Sequence, residues 1–273
     1  MCMRMRLLVT SALATVMVAG AAQAADLPTK APVYKAPVAA PFSWTGFYVG
    51  GHVGGGWGDK KWSDWFNPLD SSQRTTGPDA SYHVDGPLAG GQIGYNFQYG
   101  WTVFGVEADA SWTGIKGHGN NDPFAFDGIH PTVPTGFGCL DLNGACKSEI
   151  DALGTITARL GVAVDRVLFY AKGGAAWVHE KHTVRASDST APNDPLFNFT
   201  STTSQTRWGW TAGGGIEYGF TQNWSAKIEY NYLDFGKDEV AFTLPAPTGF
   251  GVAGTLHQTM HVVKGGLNYR FGY

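Results

Sequence analysis

The chain has 273 residues, a formal charge of −3 from 19 basic and 22 acidic side chains, and a mean hydropathy of −0.14. So balanced a charge gives no basic stripe for nucleic acid, and so polar a chain holds no bundle of membrane helices. Neither exclusion touches a transmembrane β-barrel, whose alternating apolar and polar residues leave the average low.

The first segment reads as an export signal. Arg4 and Arg6 precede an apolar run from Leu7 to Gly20, and Ala22-Gln23-Ala24 supplies a small-residue cleavage site. The run falls short of the roughly 20 residues a helical span needs, and Cys2 precedes it instead of following it, which argues against a lipid anchor. Residues 1–24 are therefore read as a signal peptide, leaving a mature chain of 249 residues with formal charge −5. Residues 25–43 carry Pro28, Pro32, Pro37 and Pro41 with Lys30 and Lys35 among alanines. This composition predicts an extended periplasmic tether, with a cell-wall or periplasmic contact as the alternative role. Residues 44–273 then form one β domain.

Within that domain, period 2 recurs. Phe47, Val49, Val53 and Trp57 alternate with Tyr48, Gly50, His52 and Gly54. Ile93, Tyr95 and Phe97 alternate with Gln92, Gly94 and Asn96, and Phe104, Val106 and Trp112 with Glu107, Asp109 and Ser111. The pattern returns over 155–162, 169–177, 208–220, 224–232 and 263–273, giving eight predicted strands of about 9 to 14 residues, the length of a tilted bilayer crossing. The fold class is all-β, an eight-stranded antiparallel up-and-down transmembrane barrel. Apolar residues, with aromatics toward the strand ends, would face lipid. The abundant glycines, 38 in all, would make room in the lumen for bulky neighbours.

Connections fall into two alternating classes. Gly100, Val164-Asp165-Arg166 and Thr221-Gln222-Asn223 are short; 58–87, 113–149, 179–205 and 234–257 are long. Short periplasmic turns and long outer loops are what an outer-membrane barrel shows, and an even strand count places both termini inside. The second long loop holds Cys139 and Cys146, the mature chain's two cysteines. An exported chain with an even pair predicts a disulfide between them, two free thiols being the other possibility. The loop aromatics Trp62, Trp65, Phe66, Phe124, Phe126, Phe137, Phe197 and Phe199 are read as self-packing clusters, with ligand capture as the competing reading.

The chemistry-bearing residues face inward: Glu107, Asp109, Glu217 and Glu229 against Arg159, Lys172, Lys227, Lys264 and Arg270. An eight-stranded barrel has room only to be filled by side chains, and buried charges persist only when paired. A salt-bridge network plugging the lumen is the expectation; a narrow ion path lined by the same charges is the alternative. Glu107 and Asp109 share a face, but no histidine or nucleophile is fixed beside them, so no catalytic role is assigned. The rim histidines His118, His130, His179, His182 and His257 are the candidates for haem or metal capture, yet His179-Glu180-Lys181-His182 lacks HExxH spacing. No cofactor, no metal and no nucleic-acid partner is expected, and the chain is read as a monomer.

Several runs carry a family resemblance: Ala24-Ala25-Asp26-Leu27-Pro28, Trp44-Thr45-Gly46-Phe47-Tyr48-Val49-Gly50-Gly51, Phe104-Gly105-Val106-Glu107, Ala158-Arg159-Leu160-Gly161, Gly213-Gly214-Gly215-Ile216-Glu217-Tyr218 and Leu267-Asn268-Tyr269-Arg270-Phe271. The chain resembles the small outer-membrane immunogenic β-barrel proteins of Rhizobiales-type alphaproteobacteria. The resemblance implies an OmpA-like eight-stranded barrel of the porin family, surface-exposed and without established enzymatic activity. Gly272 and Tyr273 follow the usual terminal Phe, but Tyr269, Phe271 and Tyr273 stay in phase for the barrel-assembly machinery. The expected role is structural, supporting the envelope among outer-membrane lipid and lipopolysaccharide and displaying surface loops. A low-conductance porin, a loop-mediated ligand or adhesion receptor, and a soluble lipocalin-like barrel are the competing readings. The lipocalin arrangement gives no reason for aromatic bands at the strand ends.

Overall fold

The computed structural model describes residues 42–67, 70–74, 80–119, 146–186, 199–243 and 251–271. The segment read as a signal peptide, nearly all of the one read as a tether, Cys139 and His130 lie outside the described residues.

Eight long strands close into an antiparallel barrel: β1 (Gly46–Asn67), β3 (Ala80–Tyr99), β4 (Thr102–Gly119), β5 (Cys146–Val164), β6 (Val167–Ala186), β7 (Phe199–Gly219), β8 (Trp224–Thr243) and β9 (Gly251–Phe271). A short β2 (Asp70–Arg74) pairs, among the described residues, only with the outer end of β1. Each strand pairs with its sequence neighbour, and β9 pairs back onto β1. Up-and-down topology follows from the three tight turns. Gly100 takes a φ of 61° in the first, and Asp165 takes 53° in the second, conformations that extended strands cannot continue through.

The register fixes the barrel's geometry. Starting at Val49, the partners run Ile93, Ala108, Ile156, Ala175, Trp210, Asp234 and Thr259, and return to β1 at Asp59, ten residues further along. With strands about 4.8 Å apart rising about 3.3 Å per residue, that shear tilts them roughly 40° from the barrel axis.

Eight strands were expected and eight close the barrel, but they are longer than expected, 18 to 22 residues. At this tilt 20 residues span about 50 Å, twice the roughly 25 Å apolar band of an outer-membrane barrel. Much of what was read as the long segments 58–87, 113–149, 179–205 and 234–257 is therefore strand. The outer face shows where the membrane ends. Phe47, Tyr99, Trp101, Phe104, Phe220, Trp224 and Phe271 are exposed near the tight turns, and Trp57, Trp112, Trp208 and Trp210 form a second ring. Phe47 and Trp57 lie ten residues apart on β1, about 25 Å along the axis at this tilt. Beyond that ring the outward positions turn polar, with Asp59, Lys61, His83, Asp85, Lys116, Lys181, Ser204 and Thr206 all exposed.

Candidate functional site: the filled lumen

The lumen is filled in four layers, each set by which face of the alternation the sequence gives to the interior. At the periplasmic end, Trp44, Val103, Ala163, Leu168 and Tyr170 form a buried apolar floor with Phe42 against it. Residues 42–45 precede β1 and fold under the barrel, held by the Trp44 amide donating to Gln98 Oε1 at 2.7 Å and the Gln98 amide donating to Thr45 Oγ1 at 3.0 Å. Arg270 packs its guanidinium over the Phe42 ring at 4.6 Å and the Trp44 ring at 5.1 Å. Its Nη2 donates to the Gln222 carbonyl at 2.8 Å. This corrects the expectation for Arg270: it is buried but forms no ion pair among the described residues, because its height on β9 places it at the floor, below the carboxylates.

The second layer lies at the membrane midplane. Here Glu107, Asp109, Glu217 and Glu229 meet Arg159, Lys172, Lys227 and Lys264, four acids and four bases, none more than 7% exposed. Glu107 is the hub: Lys172 Nζ and Lys227 Nζ each lie 2.9 Å from its oxygens and Arg159 Nη1 lies at 3.3 Å. Arg159 reaches on to Glu217 at 2.8 Å, Lys172 to Glu229 at 2.9 Å, Lys227 to Glu229 at 3.3 Å, and Lys264 to Asp109 at 2.5 Å. The remaining carboxylate lone pairs are filled by neutral donors. Tyr48 Oη donates to Glu107 at 2.8 Å, Tyr170 Oη to Glu229 at 2.9 Å, and Asn268 Nδ2 and Ser225 Oγ to Glu217 at 2.8 and 2.5 Å. Thr155 donates to Asp109. Burying ions is tolerable only with such saturation. The Arg159 guanidinium also stacks on Tyr170, 4.0 Å from the ring centroid.

Inward glycines make this density possible. A Cβ on Gly94 would strike the Tyr48 hydroxyl, and one on Gly215 would approach the Tyr170 hydroxyl at 2.7 Å. The structure thus brings together eight of the nine lumen charges expected from the sequence. Expectation missed the neutral partners Tyr48, Tyr170, Asn268, Ser225 and Asn231, the last donating its Nδ2 to Glu229 Oε1 at 2.7 Å. Their parity with the charged residues was the available signal.

A third layer, unforeseen, is apolar. Val84, Leu88, Ile115, Ile150, Leu153, Ala176, Val178, Leu233, Phe235, Met260 and Val262 form one buried cluster level with and above the outer tryptophan ring. The fourth layer is a second polar network. Lys60 Nζ lies 2.6 Å from Glu180, Arg207 Nη1 lies 3.3 Å from the same side chain, and Arg207 Nη1 donates to Gln258 Oε1 at 3.4 Å. His182 joins it, 2.8 Å from Ser148 Oγ and 3.3 Å from Glu180. This layer sits outside the bilayer. Burial opposes ionisation of Glu180, but Lys60 and His182 overcome it and hold the carboxyl well below the usual carboxylate range.

Lys60 and His182, expected in outer loops, are thus lumen residues. His179 and His257 do lie on the outer wall, beside Thr206 and Asp234 respectively. His118 lies on β4, whose backbone alone is described there. Among the described residues no group of three or more His, Cys, Asp or Glu could hold a metal. Cys146 opens β5, and the disulfide expected with Cys139 falls outside the described residues.

Greasy outward faces between two aromatic rings, with ions sealed inside, define an integral outer-membrane β-barrel. The chain belongs to the outer membrane protein beta-barrel domain family, matching it over residues 10–271. It is 31% identical over 268 residues to the 31 kDa outer-membrane immunogenic protein of Brucella melitensis, covering 93% of this chain and 95% of that one. It is 29% identical over 203 residues to the 22 kDa outer membrane protein of Rhizobium leguminosarum bv. viciae, covering 74% and 69%. Among solved structures, OprG from Pseudomonas aeruginosa superposes with a TM-score of 0.52 at 12% identity, over 85% of this chain and 99% of that one. That likeness establishes the shared barrel fold. The protein is located in the outer membrane.

Proposed function

We propose that this protein is a structural, non-enzymatic and non-conducting barrel that stiffens the outer membrane and carries its loops well above the lipid surface. The observation that carries this reading is the balanced midplane network, in which every carboxylate touches a base and the neutral donors take up the rest. An ion crossing such a layer would have to displace charges already paired in a low-dielectric interior. The apolar layer above it and the Trp44 floor below it add two further barriers. On the same reading the chain is a monomer, inserted by the barrel-assembly machinery and surrounded by lipopolysaccharide. Planar-bilayer recording of the purified full-length protein tests it: the expectation is no stable unitary conductance in molar salt. A reproducible unitary step would replace the scaffold with a low-conductance channel.

A further inference from the structure

The barrel wall is not closed all the way up. β7 and β8 are joined from Gly219↔Ser225 to Trp210↔Asp234, and above that rung no pair joins them among the described residues. Each strand nevertheless continues, β7 pairing with β6 as far as Phe199 and β8 with β9 as far as Thr243. Two strand edges therefore diverge into a notch that begins at the outer tryptophan ring and opens away from the membrane.

The parting has a local cause. The β8 register shifts between Asp234 and Lys237, with Gly236 at a φ of 63°, which turns β8 away from β7. Arg207 closes the apex, its Nη2 donating to the carbonyls of Phe235, Gly236 and Leu256 at 3.2, 3.1 and 3.2 Å. Asp238, 3.6 Å from Arg207 Nε, has a side chain 52% exposed, whereas Lys60 and Glu180 deeper in the lumen are fully buried.

The two edges differ in character. Edge strands are normally blunted by charge or proline, and β8 carries Lys237, Asp238 and Glu239 there. The β7 edge over residues 202–206 is Thr-Thr-Ser-Gln-Thr, uncharged and rich in β-branched residues. The hydroxyls of Thr202 and Thr206 are engaged with Thr183 and His179 on β6, away from the notch. What faces the notch is main chain, with every second residue turning both its N–H and its C=O outward. That spacing of donors and acceptors is complementary to another extended polypeptide.

We propose that the notch is a docking site for an extended polypeptide strand presented from outside the cell, which adds to the β7 edge by main-chain hydrogen bonds. The incoming strand is neutral and β-branched on the β7 side, and carries a basic residue toward Asp238 and Glu239. This surface does not depend on whether the lumen conducts.

The test uses the full-length protein in nanodiscs and a fluorescein-labelled peptide of alternating threonine and valine with lysine at both ends. Fluorescence anisotropy is expected to show saturable binding. Methylating alternate backbone nitrogens along one edge of the peptide is expected to weaken it about tenfold or more, since several hydrogen bonds are lost. Methylating the intervening nitrogens, which face away from β7, is expected to leave it within about twofold. Absence of saturable binding, or equal loss with both methylated peptides, would overturn the proposal. Because the protein itself is unaltered, a folding defect cannot imitate either result.

Discussion

Replacing Glu107 by glutamine removes one negative charge and almost no volume from the most connected point of the lumen. Three cations lie 2.9, 2.9 and 3.3 Å from its oxygens, each attraction amounting to about 5 kcal/mol at an effective dielectric of 20. Most of that is offset: a neutral amide escapes the desolvation cost, Lys172 and Lys227 keep Glu229, and Arg159 keeps Glu217. What is left is one uncompensated buried charge, for which a loss of about 3–5 kcal/mol is expected. Urea unfolding of the refolded barrel in lipid vesicles, followed by tryptophan fluorescence and by heat-modifiable migration on gels, measures it. Adding Lys227→Met restores the balance of charge, so the double variant is expected to be more stable than the sum of the single losses predicts, by about 1–3 kcal/mol. A loss below about 1 kcal/mol for Glu107→Gln, or strict additivity with Lys227→Met, would refute a coupled network.

Three further outcomes follow from the layers. Trp44→Ala empties the periplasmic floor and is expected to cost about 3–5 kcal/mol in the same unfolding assay. Leu153→Ala is expected to cost about 2–5 kcal/mol; a change within about 0.5 kcal/mol, as for an exposed surface site, would remove the apolar third layer. On the outer wall, Ile228→Lys at the midplane is expected to cost about 2–4 kcal/mol, whereas Thr206→Lys above the tryptophan ring should stay within about 0.5 kcal/mol. Equal costs at the two positions would contradict the assigned membrane boundary.

The sequence showed the lower half of the barrel clearly and concealed the upper half, and β6 shows why. Below Trp177, outward Phe169 and Ala171 oppose inward Tyr170 and Lys172; above it, outward His179 and Lys181 oppose inward Val178. The period of 2 never stops, but its hydrophobic phase reverses, because the outer surface leaves lipid for water while the interior still has to be filled. Hydropathy read alone mistakes that reversal for a strand end, and so Lys60 and Glu180 pass for loop residues, while Arg207 falls between the loop 179–205 and the strand 208–220 and is assigned to neither. Parity kept the information. Glu180 lies an even number of residues from Lys172, and Lys60 from His52, so all four point inward. The notch between β7 and β8 was beyond any such reading, since it depends on where Gly236 turns one strand away from another distant in sequence. A change of solvent along the barrel axis reverses which residues a strand buries without altering which way they point. In a barrel taller than its membrane, side-chain direction is therefore the dependable guide to the lumen, and hydrophobicity is a guide only within the lipid.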